Sequence, residues 1–501
     1  MSAKGRRRAE AVAITPRLHL QTDRVRLYHG DAADIASVVA PESIDAIVTD
    51  PPSGIGFMGR SWDSDKGGRD HWIAWLAGIM RTALGLLKPG GHALVWALPR
   101  TSHWTATAVE DAGFEIRDVV MHLFGSGFPK SLDVSKAIDE AAGAVRIVAT
   151  SSTMGAATEV GAIAINRRCD ACGKARQSAD PCRCPRDSGP VTPDAARWSG
   201  WGTALKPAAE HYILARKPLR GTVASNVIAF GTGAINVDGC RIGTDDDLNG
   251  GAYGGAPRDA TSPVALVGRG IGEFKQPAGR WPAHLVLDEE AARVLDEQSG
   301  TLTSGMMKAG TPRGPQGEVY AKGFTSQPMT VDTYADTGGA SRFFYVAKPA
   351  RSEKDAGLDH LPIVTGGDAT DREDGSAGLA NPRAGAGRTG GARNFHPTVK
   401  SIDLMRWLCR LITPPGGTVL DLFTGSGSTG VAALREGFAF VGIERSPQPD
   451  RPVDADNPNY IDIAAGRLAH VACVAPPARV DGEPRAPAAQ LSIFDLESPC
   501  T

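Results

Sequence analysis

The sequence predicts an α/β protein: a doubly wound, mainly parallel sheet carrying a long inserted region. Three observations carry this. Short apolar runs alternate with helix-period segments over residues 17–145. The same alternation returns over residues 393–470. Between them, 146–392 is rich in Gly, Pro, Ser and Thr and has little periodicity.

Taken in order, residues 43–50 read as a buried strand ending at a loop. Residues 72–87 read as a helix with apolar side chains at helical spacing, stopped by Lys88-Pro89-Gly90-Gly91. Residues 91–98 read as a second strand, and 115–124 hold a third, with a fourth as the alternative division. After position 396 come a helix over 404–412, a strand over 418–423, a helix over 429–436, a strand over 438–444 and a last helix over 460–468. The tail, 475–501, is rich in Pro and Ala and reads as flexible.

At 501 residues the chain has room for roughly two to four domains. The formal net charge of −2 gives no global basic signature, so any nucleic-acid surface has to be local. No apolar stretch approaches the ~20 residues that a membrane helix needs. The basic N-terminus lacks the apolar segment of a signal peptide. The expectation is a cytoplasmic protein with no membrane partner.

Two motifs carry chemistry. Near the C-terminus, Asp421-Leu422-Phe423-Thr424-Gly425-Ser426-Gly427 is a strand end, a glycine turn and a helix start. Glycines there permit positive φ and close approach of a ligand to backbone. Glu444 ends the next strand, where a carboxylate accepts hydrogen bonds from ribose hydroxyls. S-adenosylmethionine, a dinucleotide and a plain turn all fit the spacing. Asp421 favours the first, because a carboxylate would repel a pyrophosphate and suits the ammonium of a methionine moiety.

Near the N-terminus, Asp50-Pro51-Pro52-Ser53 follows the strand over 43–50. Two consecutive prolines end the strand and fix a rigid turn. They also free carbonyls from sheet pairing. An amino group on a base is a poor nucleophile because its lone pair is delocalised into the ring. A carboxylate and a carbonyl accepting its two N–H bonds favour the pyramidal form, whose lone pair attacks a methyl group in line. The bland alternative is a strand-ending turn.

Together these motifs resemble the amino-group DNA methyltransferases, the N6-adenine and N4-cytosine family. Its catalytic motif is (Asp/Asn/Ser)-Pro-Pro-aromatic, and here that motif precedes the glycine motif, the permuted order of the beta class. Further stretches are similar to members, several from phages and prophages: Tyr28-His29-Gly30-Asp31, Phe124-Gly125-Ser126-Gly127, Gly200-Trp201-Gly202-Thr203, Gly279-Arg280-Trp281-Pro282, Ser341-Arg342-Phe343-Phe344-Tyr345 and His396-Pro397-Thr398-Val399-Lys400.

The resemblance implies an S-adenosylmethionine-dependent methyltransferase fold with 17–145 as catalytic half, 146–392 as inserted target-recognition region, and 393–470 as cofactor-binding half. It implies a catalytic loop of Asp50, Pro51, Pro52 and Ser53. It implies a cofactor site of Asp31, His396, Thr398, Lys400, Asp421, Phe423, Gly425, Gly427 and Glu444. The reaction implied is transfer of a methyl group to the amino group of a flipped base in double-stranded DNA. Adenine N6 is favoured over cytosine N4, because N4 enzymes often carry Ser where Asp50 stands. The alternatives are an inactive DNA-binding module and an RNA methyltransferase. The setting implied is a bacterial or phage-infected cytoplasm, in a restriction-modification context. Ser53 departs from the family, whose aromatic stacks on the flipped base; Phe57 and Trp62 are the neighbours that could replace it. Ser401 stands where proline is usual.

Three more expectations concern other partners. Cys169, Cys172, Cys182 and Cys184, half of the eight cysteines, form two tight pairs suited to a structural tetrahedral zinc. Gln490, Leu491 and Phe494 resemble a pentapeptide that docks into the bacterial sliding clamp. A homodimer is compatible with the sequence. In 146–392, Arg216, Lys217, Arg220, Arg280, Arg342 and Lys348 are candidates for DNA contact.

Overall fold

A computed structural model describes residues 15–57, 61–127, 131–146, 189–244, 246, 248, 277–303, 305, 308, 336–348, 351–364, 391–446 and 459–473. The strands are β1 (Arg17–Thr22), β2 (Val25–His29), β3 (Ile44–Thr49), β4 (Leu87–Ala97), β5 (Glu115–Leu123), β6 (Ala209–Arg216), β7 (Leu285–Asp288), β8 (Leu302–Thr303), β9 (Thr337–Gly338), β10 (Tyr345–Ala347), β11 (Thr418–Asp421) and β12 (Ala439–Glu444). The α-helices are α1 (Arg69–Leu86), α2 (Ser102–Asp111), α3 (Val134–Ala141), α4 (Pro193–Arg197), α5 (Val223–Phe230), α6 (Glu289–Ser299), α7 (Ile402–Ile412), α8 (Ser428–Arg435) and α9 (Tyr460–Ala472). Among the described residues no helix is long and apolar enough to cross a membrane.

The main sheet has ten strands in the order β1-β2-β12-β11-β3-β4-β6-β5-β7-β10. All run in one direction except β1 and β6. The chain's two ends thus interleave: β11 and β12 slot between β2 and β3.

Side-chain alternation assigns each face of the sheet to one half of the chain. Ala46, Val48, Leu94, Val419 and Phe440 face a core built with α7, α8 and α9. Ile47, Ala93, Val95, Leu420 and Val441 face the opposite core, built with α1 and α2. From α1, Trp72, Leu76, Met80 and Ala83 fill that core at helical spacing.

Residues 146–392, set apart by the sequence reading, contribute β6, β7 and β10 to this sheet. The physical reason is burial. From Tyr212 to Arg216 every residue of β6 is buried, so the strand lacks the polar alternation that marks a half-exposed one. The presumed helix stop also differs. The helix ends at Leu86, and Leu87, Lys88 and Pro89 already belong to β4.

The sheet lies in a compact unit of Met1–Gly125, Ala209–Thr370 and Thr389–Thr501. A second unit comprises Ser126–Ala208 and Asp371–Arg388. Within it, Ser135 Oγ on α3 donates to the Ala195 carbonyl on α4 at 2.7 Å. The buried Asp139 carboxylate accepts the N–H groups of Val191 and Thr192 at 3.0 and 2.9 Å.

The junction of β3 with β11 joins the chain's two halves. At its lower end Asp45 Oδ2 accepts the Thr418 N–H at 2.8 Å, and Lys88 Nζ donates to Asp45 Oδ1 at 2.6 Å. Asp45 is buried and Lys88 part-buried, with side chains 8% and 12% exposed. Truncating Asp45 takes away the acceptor of a buried N–H and the carboxylate beside a part-buried ammonium. Asp45→Ala is expected to cost about 3–5 kcal/mol, read from the urea midpoint of the full chain. A loss under about 1 kcal/mol would show the pair to be dispensable.

Candidate active site at the switch point

In an open α/β sheet, ligands bind beyond the carboxyl ends of strands where the strand order reverses. Here that point lies between β11 and β3, since β12 continues one way and β4 the other. Thr49 ends β3 and Asp421 ends β11. Thr49 Oγ1 donates to Asp421 Oδ1 at 2.8 Å and accepts the Leu422 N–H at 3.1 Å. The two predicted loops therefore start from one hydrogen-bonded node.

The glycine loop is held from three sides. Gly425 and Gly427 have φ of +52° and +77°, left-handed values that other residues rarely adopt. A Cβ at Gly425 would also lie 2.9 Å from His396 Nε2. His396 Nδ1 accepts the Thr398 N–H at 3.3 Å, which leaves the proton on Nε2. Burial, with Arg467 and Lys400 nearby, pushes His396 down to about 3, so the ring is neutral. Arg467 on α9 is 1% exposed and donates to the Ser426 carbonyl at 2.6 Å and to the Ser428 hydroxyl at 3.2 Å.

Glu444, ending β12, accepts the N–H groups of Gly425 and Ser446 at 2.8 and 3.1 Å. Burial nevertheless lifts its carboxyl to about 7. Next to it, Asp31 caps a short 3-10 turn and lies 3.3 Å from the Arg445 guanidinium. Phe423 meets Trp75 of α1 with ring centroids 5.8 Å apart. Burial lifts Asp421 to about 6, although hydrogen bonds from Thr429, Thr49 and the Phe423 N–H pull the other way.

The other loop carries Asp50. Its Oδ2 lies 3.5 Å from Lys400 Nζ, which is also 3.4 Å from each carboxylate oxygen of Glu210 on β6. The ammonium sits 4.0 Å from the centroid of Trp96. Burial pushes Asp50 up to about 7; Lys400 opposes that rise, and Glu210 and Asp421 add to it. Burial acts on Glu210 too, but Lys400 and His122 outweigh it and hold this carboxyl at about 2.

Ser53 has a structural task. Its hydroxyl donates to both oxygens of the buried Asp63, at 3.0 and 3.1 Å. The Gly54 and Phe57 N–H groups donate to the same carboxylate at 3.0 and 2.7 Å. Thr101 Oγ1 donates to the Ser53 carbonyl at 3.0 Å. The loop is wrapped around one acidic side chain.

The structure thus brings the predicted Asp50, Pro51, Pro52 and Ser53 to one strand end. It brings Asp31, His396, Asp421, Phe423, Gly425, Gly427 and Glu444 to neighbouring ones. Lys400, expected with Thr398 at the cofactor, stands beside Asp50. Thr49, Asp63, Glu210 and Arg467 escaped sequence reading. Arg467 alone left a signal: a charge three residues after Ala464 on an apolar helical stripe. Of the arginines and lysines picked for DNA contact, Arg216 is 9% exposed and bonded to Glu115, and Arg220 is bonded to Glu42. Arg342 is bonded to Asp336, and Lys348 is exposed. Among the described residues no group of three or more His, Cys, Asp or Glu is placed to hold a metal ion. Cys169, Cys172, Cys182 and Cys184 lie outside the described residues, as do Gln490, Leu491 and Phe494.

A doubly wound sheet with convergent carboxylates and a glycine loop at its switch point defines a ligand-binding α/β protein. Comparison with known proteins narrows the class. Residues 368–449 match the model of a DNA methylase family, the N6/N4 methylases. The type II methyltransferase M.BglI of Bacillus subtilis is 56% identical over 41 residues, which are 8% of this chain and 12% of that protein. The putative methylase YubD of Escherichia coli is 46% identical over 56 residues, 11% of this chain and 25% of its own length. The matched stretches therefore span about an eighth and a quarter of these relatives. Among solved structures, the PvuII cytosine-N4-specific DNA methyltransferase aligns over 89% of this chain and 86% of its own, with 12% identity and a TM-score of 0.37. A putative DNA modification methylase of Thermus thermophilus complexed with S-adenosyl-L-methionine aligns over 90% and 96%, with 13% identity and a TM-score of 0.31. Residues 368–449 are thus similar to the N6/N4 DNA methylase family.

The buried carboxylates give a pH test of the site. A raised pKa means that the folded state binds the proton more tightly than the unfolded one. For Asp421 that contribution is present below pH ~4 and lost as pH rises through about 6. Asp421→Asn removes it. The variant is expected to gain on wild type by about 1–3 kcal/mol between pH 4 and pH 8, in urea unfolding of the ligand-free protein. A pH-independent difference would show that Asp421 is ionised throughout.

Proposed function

We propose that the protein is a DNA methyltransferase that moves a methyl group from S-adenosylmethionine to an exocyclic amino group of a base. Adenine N6 is favoured over cytosine N4. The observation that carries this is the Thr49–Asp421 node, which sets the Asp50 loop beside the glycine loop across 372 residues of chain. Beta-class order, with the Asp50 loop first, is part of the reading.

The residues present fit the cofactor. Glycine at 425 keeps open a cradle that a Cβ would carry into His396. Asp421 suits an ammonium. Glu444 spends part of its acceptor capacity on Gly425 and Ser446 and has lone pairs left for ribose hydroxyls. Asp31 and Phe423 stand at the adenine end of the reading, with His396, Thr398 and Gly427 shaping the loop. When bound, S-adenosylmethionine supplies an electrophilic methyl group on a sulfonium.

The chain's own residues do the rest. Asp50 and a carbonyl of the Pro51-Pro52 turn accept the two N–H bonds of the amino group and turn its lone pair toward the methyl. Asp50, poised near 7, takes up the proton that the nitrogen sheds. The target base has to leave the duplex, at a cost of a few kcal/mol. Ser53 anchors the loop on Asp63, so Phe57, whose N–H that carboxylate also holds, is the aromatic proposed to stack on the base. Target recognition is assigned to residues of 146–392 outside the sheet.

Incubation with tritiated S-adenosylmethionine and bacterial DNA tests the reading. Wild type is expected to label adenine, with a rate that rises as pH increases through about 7 and Asp50 loses its proton. Asp50→Ala is expected to lower transfer at least ~10³-fold while S-adenosylmethionine still binds, as seen by calorimetry. An active Asp50→Ala variant would sink the assignment. Bound DNA without any label in wild type would favour the inactive module.

The cysteine pairs support a second, separate proposal of one structural zinc per chain, held by Cys169, Cys172, Cys182 and Cys184. Elemental analysis of protein washed with a mild chelator should find about one zinc per chain, falling to none when Cys169 and Cys172 are both replaced by Ser. Zinc-free wild type would count against it.

A further inference from the structure

Glu210 belongs to neither loop and lies outside the family match over 368–449. Yet it shares Lys400 with Asp50. An ammonium has three N–H donors. Lys400 lies 3.4 Å from both oxygens of Glu210, 3.5 Å from Asp50 Oδ2, and over the face of Trp96. The cation is therefore shared between the two carboxylates, with two contacts to Glu210 and one to Asp50.

The geometry points to Glu210 as a positioning residue for methyl transfer: by gripping Lys400 it keeps the ammonium from closing on Asp50, whose carboxylate stays available to the target amino group. This rests on the methyltransferase reading. The other groups facing the cluster are few. From β5, His122 Nδ1 lies 4.0 Å from Glu210 Oε2. Asp421 at the end of β11 acts on Asp50, and His396, ahead of α7, feels the Lys400 charge. Tyr212, two residues along β6, is pushed up by burial and by both carboxylates, so it stays neutral. Lys400 is the cation that pairs with Asp50. Loss of the Glu210 charge therefore acts on Asp50 twice, by removing a like charge and by releasing Lys400 onto it. Both effects lower the Asp50 pKa.

The test uses the full-length chain as Glu210→Gln and Glu210→Asp. In Glu210→Gln the acid limb of the kcat profile is expected to move down by ~1 pH unit. At pH 8 its kcat should fall about tenfold, with KM for S-adenosylmethionine within about twofold of wild type. Glu210→Asp, which keeps the charge, should hold the limb near its wild-type position. An unmoved limb in Glu210→Gln, or the same profile for both variants, would overturn the inference in favour of a merely structural role. Infrared titration of the Asp50 carboxyl, assigned by difference from Asp50→Asn in each background, reads the same shift without turnover. A wild type that transfers no methyl would overturn the enzyme reading, and with it the role in transfer. An infrared midpoint unchanged by Glu210→Gln would overturn the Glu210 assignment alone.

Discussion

The hydrogen bond from Thr49 to Asp421 is the point on which the rest of the molecule turns. It lies where β3 and β11 meet, and those strands come from opposite ends of the chain. With Asp45 at the other end of the same junction, it fixes how the N-terminal and C-terminal strands register. Register matters because a slip of one residue would exchange the two faces of the sheet. Ala46 and Val48 would then meet α1, and Ile47 would meet α7. Each face is packed by helices from one half of the chain, so neither half could tolerate the exchange.

Burial at this node also sets the electrostatics. Asp50, Asp421 and Glu444 are all lifted toward neutrality because water is excluded from them and few cations reach them. Two cations do approach the site from within. Arg467 spends its hydrogen bonds on loop carbonyls and hydroxyls. Lys400 is divided between Asp50 and Glu210. The site therefore rests with acidic groups undercompensated, a state suited to a ligand that brings positive charge of its own.

Much of this was legible in the sequence. Strands that end at Thr49, Asp421 and Glu444 announced themselves as apolar runs closed by a carboxylate or a turn. α1 showed its helical period through Trp72, Leu76, Met80 and Ala83. The relation between distant residues was less accessible. Glu210 precedes an apolar run in a Gly- and Pro-rich stretch, and its partner Lys400 is 190 positions away. Lys400, placed with His396 by the resemblance, lies four residues on and beside Asp50. Ser53 looked like a defect when judged by its own side chain. With Asp63 in view it becomes part of a loop anchor, because the short Ser hydroxyl donates to that carboxylate from within the loop.

The junction between β3 and β11 has a consequence for how the chain is made. β3 leaves the ribosome first, and the strand that covers its open edge follows some 370 residues later. At a synthesis rate of ~5–20 residues per second, that edge waits roughly 20 to 75 s for its partner. The hairpin of β1 and β2 waits longer still, since it joins the sheet through β12. Throughout this interval an unpaired, apolar strand edge is exposed to any other chain that presents one. The order of the segments thus makes the first half of the protein a client of its own unfinished second half.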